Sequence, residues 1–134
     1  MAVATKTCAL PRNDMVDALL AYLGAQGKLI IYEDVVPATA DTALDGANTV
    51  LATFTMASPS GTVTTNVLTI TPPADVLCTH TGTATFFRVY KNDGTTKVWQ
   101  GTVGTADADL VLNSAALANG ATVSITALTY TLPE

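Results

Sequence analysis

The sequence has little charge, few aromatic side chains and few of the residues that usually perform chemistry. Only 13% of its 134 residues are charged, about half the fraction of roughly 25% that is usual for soluble domains. The formal net charge is −5 and there are only six Lys and Arg residues, a balance that argues against a nucleic-acid-binding protein. The length predicts one domain with a single core.

The sequence also lacks segments that would target or span a membrane. Its longest apolar stretch, residues 15–25, is interrupted by Asp17 and falls short of the roughly 20 residues that a spanning helix needs. No apolar run precedes Pro11, so we expect no signal peptide and synthesis in a cytoplasm. Two cysteines, Cys8 and Cys78, are too few for a disulfide framework. We expect two unpaired thiols, with pairing of the two as the alternative.

Threonine and alanine take the place of charge. The sequence contains 24 threonines and 21 alanines, a third of the chain. Threonine suits a pleated strand because its β-carbon is branched, and its hydroxyl is hydrated without being charged. A surface of this kind lacks the charge repulsion that keeps monomers apart. It favours a chain that covers much of its surface with copies of itself or a partner; a Thr-rich extracellular module is the alternative.

The N-terminal part predicts an arm followed by a short helix. Residues 1–11 have no apolar period and are interpreted as an arm, and Asn13 and Asp14 offer side-chain oxygens to the first turn of a helix over about 13–23. Gly24 can end that helix in a left-handed turn. The apolar residues of the helix recur at helical spacing and predict a face that packs on a sheet: Met15, Val16, Leu19, Leu20, Tyr22 and Leu23.

The remaining sequence predicts β-structure within one domain over 12–134. About seven short strands alternate with Gly, Pro and Asn-Gly turns, without helical crossovers, which is typical of an antiparallel β-sandwich or jelly roll. Asp93-Gly94 between two β-rich segments is the strongest hairpin signal. In the last strand the apolar phase changes near Ala127, which predicts a bulge or a strand covered on both faces. The predicted strands are 28–32, 49–55, 63–70, 83–90, 97–103, 108–112 and 121–132.

The candidate chemical residues form no recognisable catalytic or metal-binding pattern. His80 is the only histidine and lies two residues from Cys78, but no acid is placed by the sequence to complete a triad. One His and two Cys cannot complete a zinc site without a carboxylate. We therefore expect no enzyme activity, no metal and no cofactor. The remaining acid pairs lack a calcium-loop pattern and are expected to cap turns: Asp41 with Asp45, and Asp107 with Asp109.

The aromatic residues cluster on the two strands of the Asp-Gly hairpin. Phe86 and Phe87 are expected in the core because the chain has few other large core residues. Tyr90 and Trp99 fit either the core or a contact surface, since sugar-binding modules and protein interfaces both use exposed aromatic rings.

Several segments, in a fixed order, resemble a family of short virion proteins from tailed bacteriophages and prophages. In that family a helix leads to a Gly-Lys-Leu-x-Ile-Tyr strand, followed by a Gly-Thr-Ala-Thr-x-Phe-Arg strand, an Asp-Gly-Thr turn and an Asp-Leu-x-Leu-Asn segment. The similarity extends over about residues 28–130. The segments that carry it are Lys28–Tyr32, Pro37–Thr42, Gly82–Tyr90, Asp93–Thr95, Gly101–Thr105, Ala108–Asn113 and Val123–Thr126.

This resemblance implies a structural protein of the virion, of the capsid cement or decoration type. Such proteins are commonly β-sandwich or jelly-roll subunits, often trimeric, that bind the major capsid protein on the capsid exterior at junctions between capsomers. The resemblance carries no catalytic residues. A tail or neck component is one alternative. A carbohydrate-binding module is the other, and it requires Tyr90 and Trp99 to be exposed on one face.

The arm and the hairpin are the predicted contact elements, because the arm lacks a core-like pattern and the hairpin tip is polar. Deleting residues 2–10 is expected to leave the fold intact and to weaken attachment to a capsid. The residues proposed to make contacts are Lys6, Leu10, Pro11, Tyr90, Asn92, Asp93, Gly94 and Trp99.

Overall fold

The computed structural model describes residues 9–39, 41–44, 48–57, 60–65, 67–106 and 108–131. Within these ranges one helix precedes eleven strands. The elements are α1 (Ala9–Leu23), β1 (Lys28–Glu33), β2 (Val50–Thr55), β3 (Gly61–Thr64), β4 (Val67–Ile70), β5 (Val76–Leu77), β6 (Gly82–Tyr90), β7 (Lys97–Gly104), β8 (Leu110–Leu112), β9 (Ala116–Leu117), β10 (Thr122–Val123) and β11 (Ile125–Thr131).

Helix α1 is present but begins earlier than the sequence predicted. It starts at Ala9 rather than near Asn13, because Pro11 is tolerated in a first turn, where no N–H donor is needed. The boundary of the predicted arm at Pro11 is therefore wrong. Asn13 does not cap the helix; it lies inside it and its amide donates to the Asp17 carboxylate at 3.4 Å. Gly24 ends the helix with φ of 74°, as predicted.

The mainly-β fold with one short N-terminal helix is confirmed. One curled sheet has the order β2-β1-β6-β7-β8-β11-β4-β3, with β9 paired to β6, while β10 and β5 form a separate two-stranded sheet. All pairs run antiparallel except β7 and β8, where Val103 lies opposite Leu110. The expectation of antiparallel pairing is wrong for this pair, because Leu110 lies beside Val103 and β8 then runs in the same direction as β7.

Both ends of the curled sheet contribute to one main core. Phe54 on β2 and Ile70 on β4 are completely or almost completely buried in the same apolar cluster, together with Val16 and Leu23 of α1. Helix α1 contacts β3, β4 and β7. The helix therefore packs on the main core beside β3 and β4.

Strand β6 is buried on both faces. Phe87 and Val89 point into the main core, while Phe86 and Tyr90 join Tyr32 in a second, smaller cluster. Phe86 and Tyr32 stack with ring centroids 5.1 Å apart. The predicted core positions of Phe86 and Phe87 are confirmed.

The predicted phase change in the last strand is a bulge. The register between β11 and β8 shifts between Ile125 and Ala127. Because of the extra residue, Ile125 and Leu128 both reach the main core although they are an odd number of residues apart. Among the described residues, no helix is long and apolar enough to cross a membrane.

Candidate interaction surface

The Asp-Gly hairpin forms as predicted, between β6 and β7. Its tip is organised by Asp93, whose carboxylate accepts the N–H groups of Thr95 and Thr96 at 2.9 Å each and the Thr96 hydroxyl at 2.5 Å. Gly94 takes φ of 73°, a conformation that residues with a Cβ rarely adopt. These contacts fix the tip although Asn92 and Asp93 are exposed.

The same hydrogen bonds make Asp93 an unusually strong acid. The Thr96 hydroxyl, followed by the backbone N–H groups of Thr96 and Thr95, lowers the pKa of the Asp93 carboxyl from 3.8 to about 2. The side chain remains open to solvent. The tip therefore presents a fixed negative charge throughout the neutral pH range.

The hairpin tip is attached to the end of the helix. The Asn92 amide donates to the Gln26 carbonyl at 3.2 Å, and Lys91 Nζ lies 4.2 Å from the ring centroid of Tyr22, within cation–π range. Between the two elements lies a cleft of about 390 Å³. The cleft is lined by Leu23, Gly24, Ala25, Lys91, Asn92, Asp93 and Thr96.

One stripe of the solvent-facing side of α1 is apolar, next to the exposed Asp14 and Asp17. Pro11, Met15, Ala18 and Tyr22 recur at helical spacing and are all exposed; Met15 is 52% and Tyr22 is 51% accessible. The sequence pattern had assigned Met15 and Tyr22 to the packed face. That assignment is wrong, because Val16 and Leu23 are the helix residues that are almost completely buried.

These features form one candidate interaction surface. It consists of the outer face of α1, meaning Pro11, Met15, Ala18 and Tyr22, and of the hairpin tip, meaning 92–94. The Lys91–Tyr22 contact joins the two parts. The helical residues alone extend over about 16 Å at 1.5 Å per residue.

Two of the predicted contact residues are almost completely buried. Tyr90 is 5% and Trp99 is 7% exposed. Tyr90 belongs to the second cluster, and Trp99 packs against Tyr130 with ring centroids 5.5 Å apart. The exposed aromatic face that a carbohydrate-binding module required is therefore wrong. Trp99 lines a small cavity instead. Lys6 and the side chain of Leu10 lie outside the described residues.

Arg88 is a buried cation that the sequence analysis did not single out. Its side chain is 1% exposed. Nε donates to Gln100 Oε1 at 3.0 Å, and Nη2 donates to the carbonyls of Thr39, at 3.3 Å, and Thr42. Among the described residues Nη1 has no hydrogen-bond partner. The sequence signal for its burial was its place in the strand: Phe86, Arg88 and Tyr90 occupy alternate positions, and the strand is apolar on both faces.

The second cluster contains a buried pair of tyrosine hydroxyls. Tyr32 and Tyr90 share a hydrogen bond of 2.9 Å. Burial, and then the hydrogen bond with Tyr90, raises the pKa of Tyr32 above its ordinary value of 10.0. Tyr32 therefore remains neutral in ordinary buffers.

The remaining chemical candidates serve local structure. The Cys78 thiol donates to the His80 carbonyl at 2.7 Å, and His80 Nδ1 lies 3.2 Å from the Val50 carbonyl. Cys78 is buried and has no disulfide among the described residues; Cys8 lies outside them, as do Asp45 and Asp107. In the part of the chain that the structure describes, no three His, Cys, Asp or Glu side chains are grouped as metal ligands.

No protein-family model matches the chain, and no curated protein and no solved structure matches it.

Proposed function

We propose that this chain is a non-enzymatic structural protein of a phage particle, of the cement or decoration type. It binds the major capsid protein on the capsid exterior, bridges capsomers and associates with copies of itself. The observation that carries the proposal is the exposed apolar face of α1, where Met15 and Tyr22 are half accessible. A helix that exposes large apolar side chains beside a fixed polar hairpin favours a protein partner.

The energetics of this surface fit a repeated lattice. Burying the accessible halves of Met15 and Tyr22 would contribute about 1 kcal/mol for each side chain. Such a contact is too weak to hold one subunit alone. On a lattice, each oligomer makes several such contacts at once, and the linked contacts multiply the affinity.

The segments that resemble tailed-phage virion proteins support the same proposal. They include the whole of β6, most of β1 and the hairpin tip, which are adjacent in the sheet or directly connected. The chain has a net charge of −5 and a charged fraction of 13%. This low charge density favours close packing of subunits side by side.

A tail or neck component is the second candidate, and it differs from a decoration protein in copy number. The experiment is quantitative mass spectrometry of purified particles, with copies of this chain counted per major capsid protein. For a decoration protein we expect one copy of this chain for each capsid subunit, or one copy for every few capsid subunits. A handful of copies per particle would favour the tail or neck, and absence from particles would overturn both.

A further inference from the structure

The sheet contains a slot next to the first residue of β8, because β8 is shorter at this end than its two neighbours. Strand β8 has three residues and pairs with β7 on one side and β11 on the other. The chain joins the sheet only at Leu110, whereas β7 and β11 both extend beyond this point. Residues 99–101 of β7 and 129–131 of β11 therefore face each other without a strand between them.

The slot continues the position that β8 occupies between its two neighbours. Neighbouring strands lie about 4.8 Å apart, so the two strands that flank β8 are separated by about 9.6 Å. A cavity of about 150 Å³ occupies the position. Its floor includes the Trp99 and Tyr130 rings, which meet at a centroid distance of 5.5 Å. The cavity is lined by Phe87, Trp99, Gln100, Asp109, Thr129, Tyr130 and Thr131.

The edge of β7 points its backbone groups into the slot. The Thr102 N–H donates to Asp109 Oδ2 at 3.0 Å, and the Thr102 hydroxyl approaches the same oxygen at 3.3 Å. The Asp109 carboxylate thus takes the place of the carbonyl that a longer β8 would supply. Because strand backbone groups alternate in direction, the N–H and C=O of Gln100 point the same way. The Gln100 side chain points away from the slot, and its amide donates to the Pro37 carbonyl at 2.8 Å.

Gly101 leaves the space that the Asp109 carboxylate occupies. A Cβ at Gly101 would lie 2.8 Å from Asp109 Oδ2 and 2.8 Å from the Phe87 ring. The carboxylate accepts only from Thr102 among the described residues. Its negative charge therefore remains available to a cation that enters the slot.

We propose that the slot accepts an extended segment of a second copy of this chain, residues 1–8, as an added strand. Unpaired strand edges bind extended peptides through main-chain hydrogen bonds, while side-chain pockets give selectivity. In an extended conformation this segment would present Val3, Thr5 and Thr7 on one side and Ala2, Ala4 and Lys6 on the other. Small alanine side chains suit the narrow floor, and Lys6 complements Asp109.

The test uses Trp99, the only tryptophan of the chain, as a reporter inside the slot. A peptide with the sequence of residues 1–8, carrying Cys8→Ser, is titrated into a variant that lacks residues 2–8. We expect a saturable change in Trp99 fluorescence. A peptide with Thr5→Pro should bind at least ten times more weakly, because proline removes an N–H donor. Lys6→Glu should weaken binding in the parent slot and have little effect when Asp109 is Asn.

The oligomeric state identifies the occupant. We expect the full-length chain to be oligomeric and the variant lacking residues 2–8 to be monomeric, as measured by native mass spectrometry. A shortened variant that remains oligomeric would overturn the proposal. If the full-length chain is monomeric and does not bind the peptide, each segment fills the slot of its own chain. This result would also overturn the proposal. A shortened variant that does not bind the peptide would eliminate the slot as a strand acceptor.

This proposal extends the self-association part of the proposed function, and the two can fail separately. A protein that is absent from particles but exchanges segments in solution would leave the slot proposal intact. A protein that decorates particles as a monomer would leave only the particle role.

Discussion

The two faces of β6 are both buried, but different interactions stabilise them. On the inner face, Phe87 and Val89 are completely buried in an apolar cluster. On the outer face, Phe86 and Tyr90 flank Arg88, whose guanidinium donates to a side-chain amide and to backbone carbonyls. The inner face is stabilised by the volume and apolar area that its side chains bury, whereas the outer face is stabilised by hydrogen bonds of defined geometry.

Donors from the sheet hold the outer face to the described part of the neighbouring segment, residues 37–39 and 41–42. Besides Arg88, Gln100 donates to the Pro37 carbonyl and Lys97 Nζ donates to the Asp41 carbonyl at 3.4 Å. In these four hydrogen bonds the acceptor is a backbone carbonyl. The attachment therefore depends on the path of the segment rather than on its side chains.

The largest effect is expected on the inner face. Phe87→Ala should lower the free energy of unfolding by about 3–5 kcal/mol, because it removes a ring and leaves a cavity. Urea unfolding followed by circular dichroism measures this change. Phe87→Leu, which preserves most of the volume, is the control and should cost less than about 1.5 kcal/mol. A loss for Phe87→Ala no larger than that of the control would contradict the inner-face account.

Two substitutions of Arg88 separate charge from geometry on the outer face. Arg88→Lys keeps a buried charge but loses the planar fork that reaches Gln100 and the two carbonyls; it should lower the free energy of unfolding by about 1–3 kcal/mol. Arg88→Met removes the charge as well, and it should be the more stable of the two variants. Amide hydrogen exchange over 41–44 should be faster in both. A Lys variant at least as stable as the Met variant would refute the geometric account.

The tyrosine pair gives a smaller effect with a defined pH dependence. Tyr32→Phe should cost about 1 kcal/mol at neutral pH, because it leaves the buried Tyr90 hydroxyl without this partner. Since the folded state raises the pKa of Tyr32 above 10.0, its contribution is complete below that pH and is lost as the pH rises further. Unfolding measured between pH 8 and pH 11 should show a shallower decline in the variant. Equal slopes would argue against a buried, proton-retaining Tyr32.

The smallest effect is expected at the exposed hairpin tip, outside both faces of β6. The pKa of Asp93 is lowered from 3.8 to about 2, so its contribution to the folded tip is present above pH 3.8 and is lost as the pH falls toward 2. The Thr95 and Thr96 amide shifts in an NMR titration should follow this low midpoint. A midpoint near 3.8 would mean that the cap does not form in solution.

The local patterns of the sequence predicted the elements, but not how both faces of β6 are covered. The Asp-Gly hairpin, the core positions of Phe86 and Phe87 and the bulge in the last strand depend on neighbouring residues, so their sequence signals were sufficient. The burial of Arg88 depends on carbonyls more than forty residues away. The slot beside β8 likewise arises from pairing between distant strands, which no local pattern encodes.

For the interaction surface, too, one part was predicted from the sequence and the other was not. The tip of the hairpin was predicted from Asp93-Gly94, whereas the apolar face of α1 was assigned to the packed side. Periodicity marked the apolar positions of the helix, but it could not decide which of them face the core. Met15 and Tyr22 are exposed because Val16 and Leu23 already fill the space beneath the helix.

The most direct test of the proposed role measures binding to particles that lack this protein. The double variant Met15→Asp/Tyr22→Asp places charge on the outer face of α1. The control, Val35→Asp/Leu77→Asp, places the same charge on apolar residues that are 69% and 62% exposed elsewhere. We expect at least a tenfold loss of co-sedimenting protein for the first variant and parent-like binding for the control. Equal binding by both variants would contradict the role of this surface.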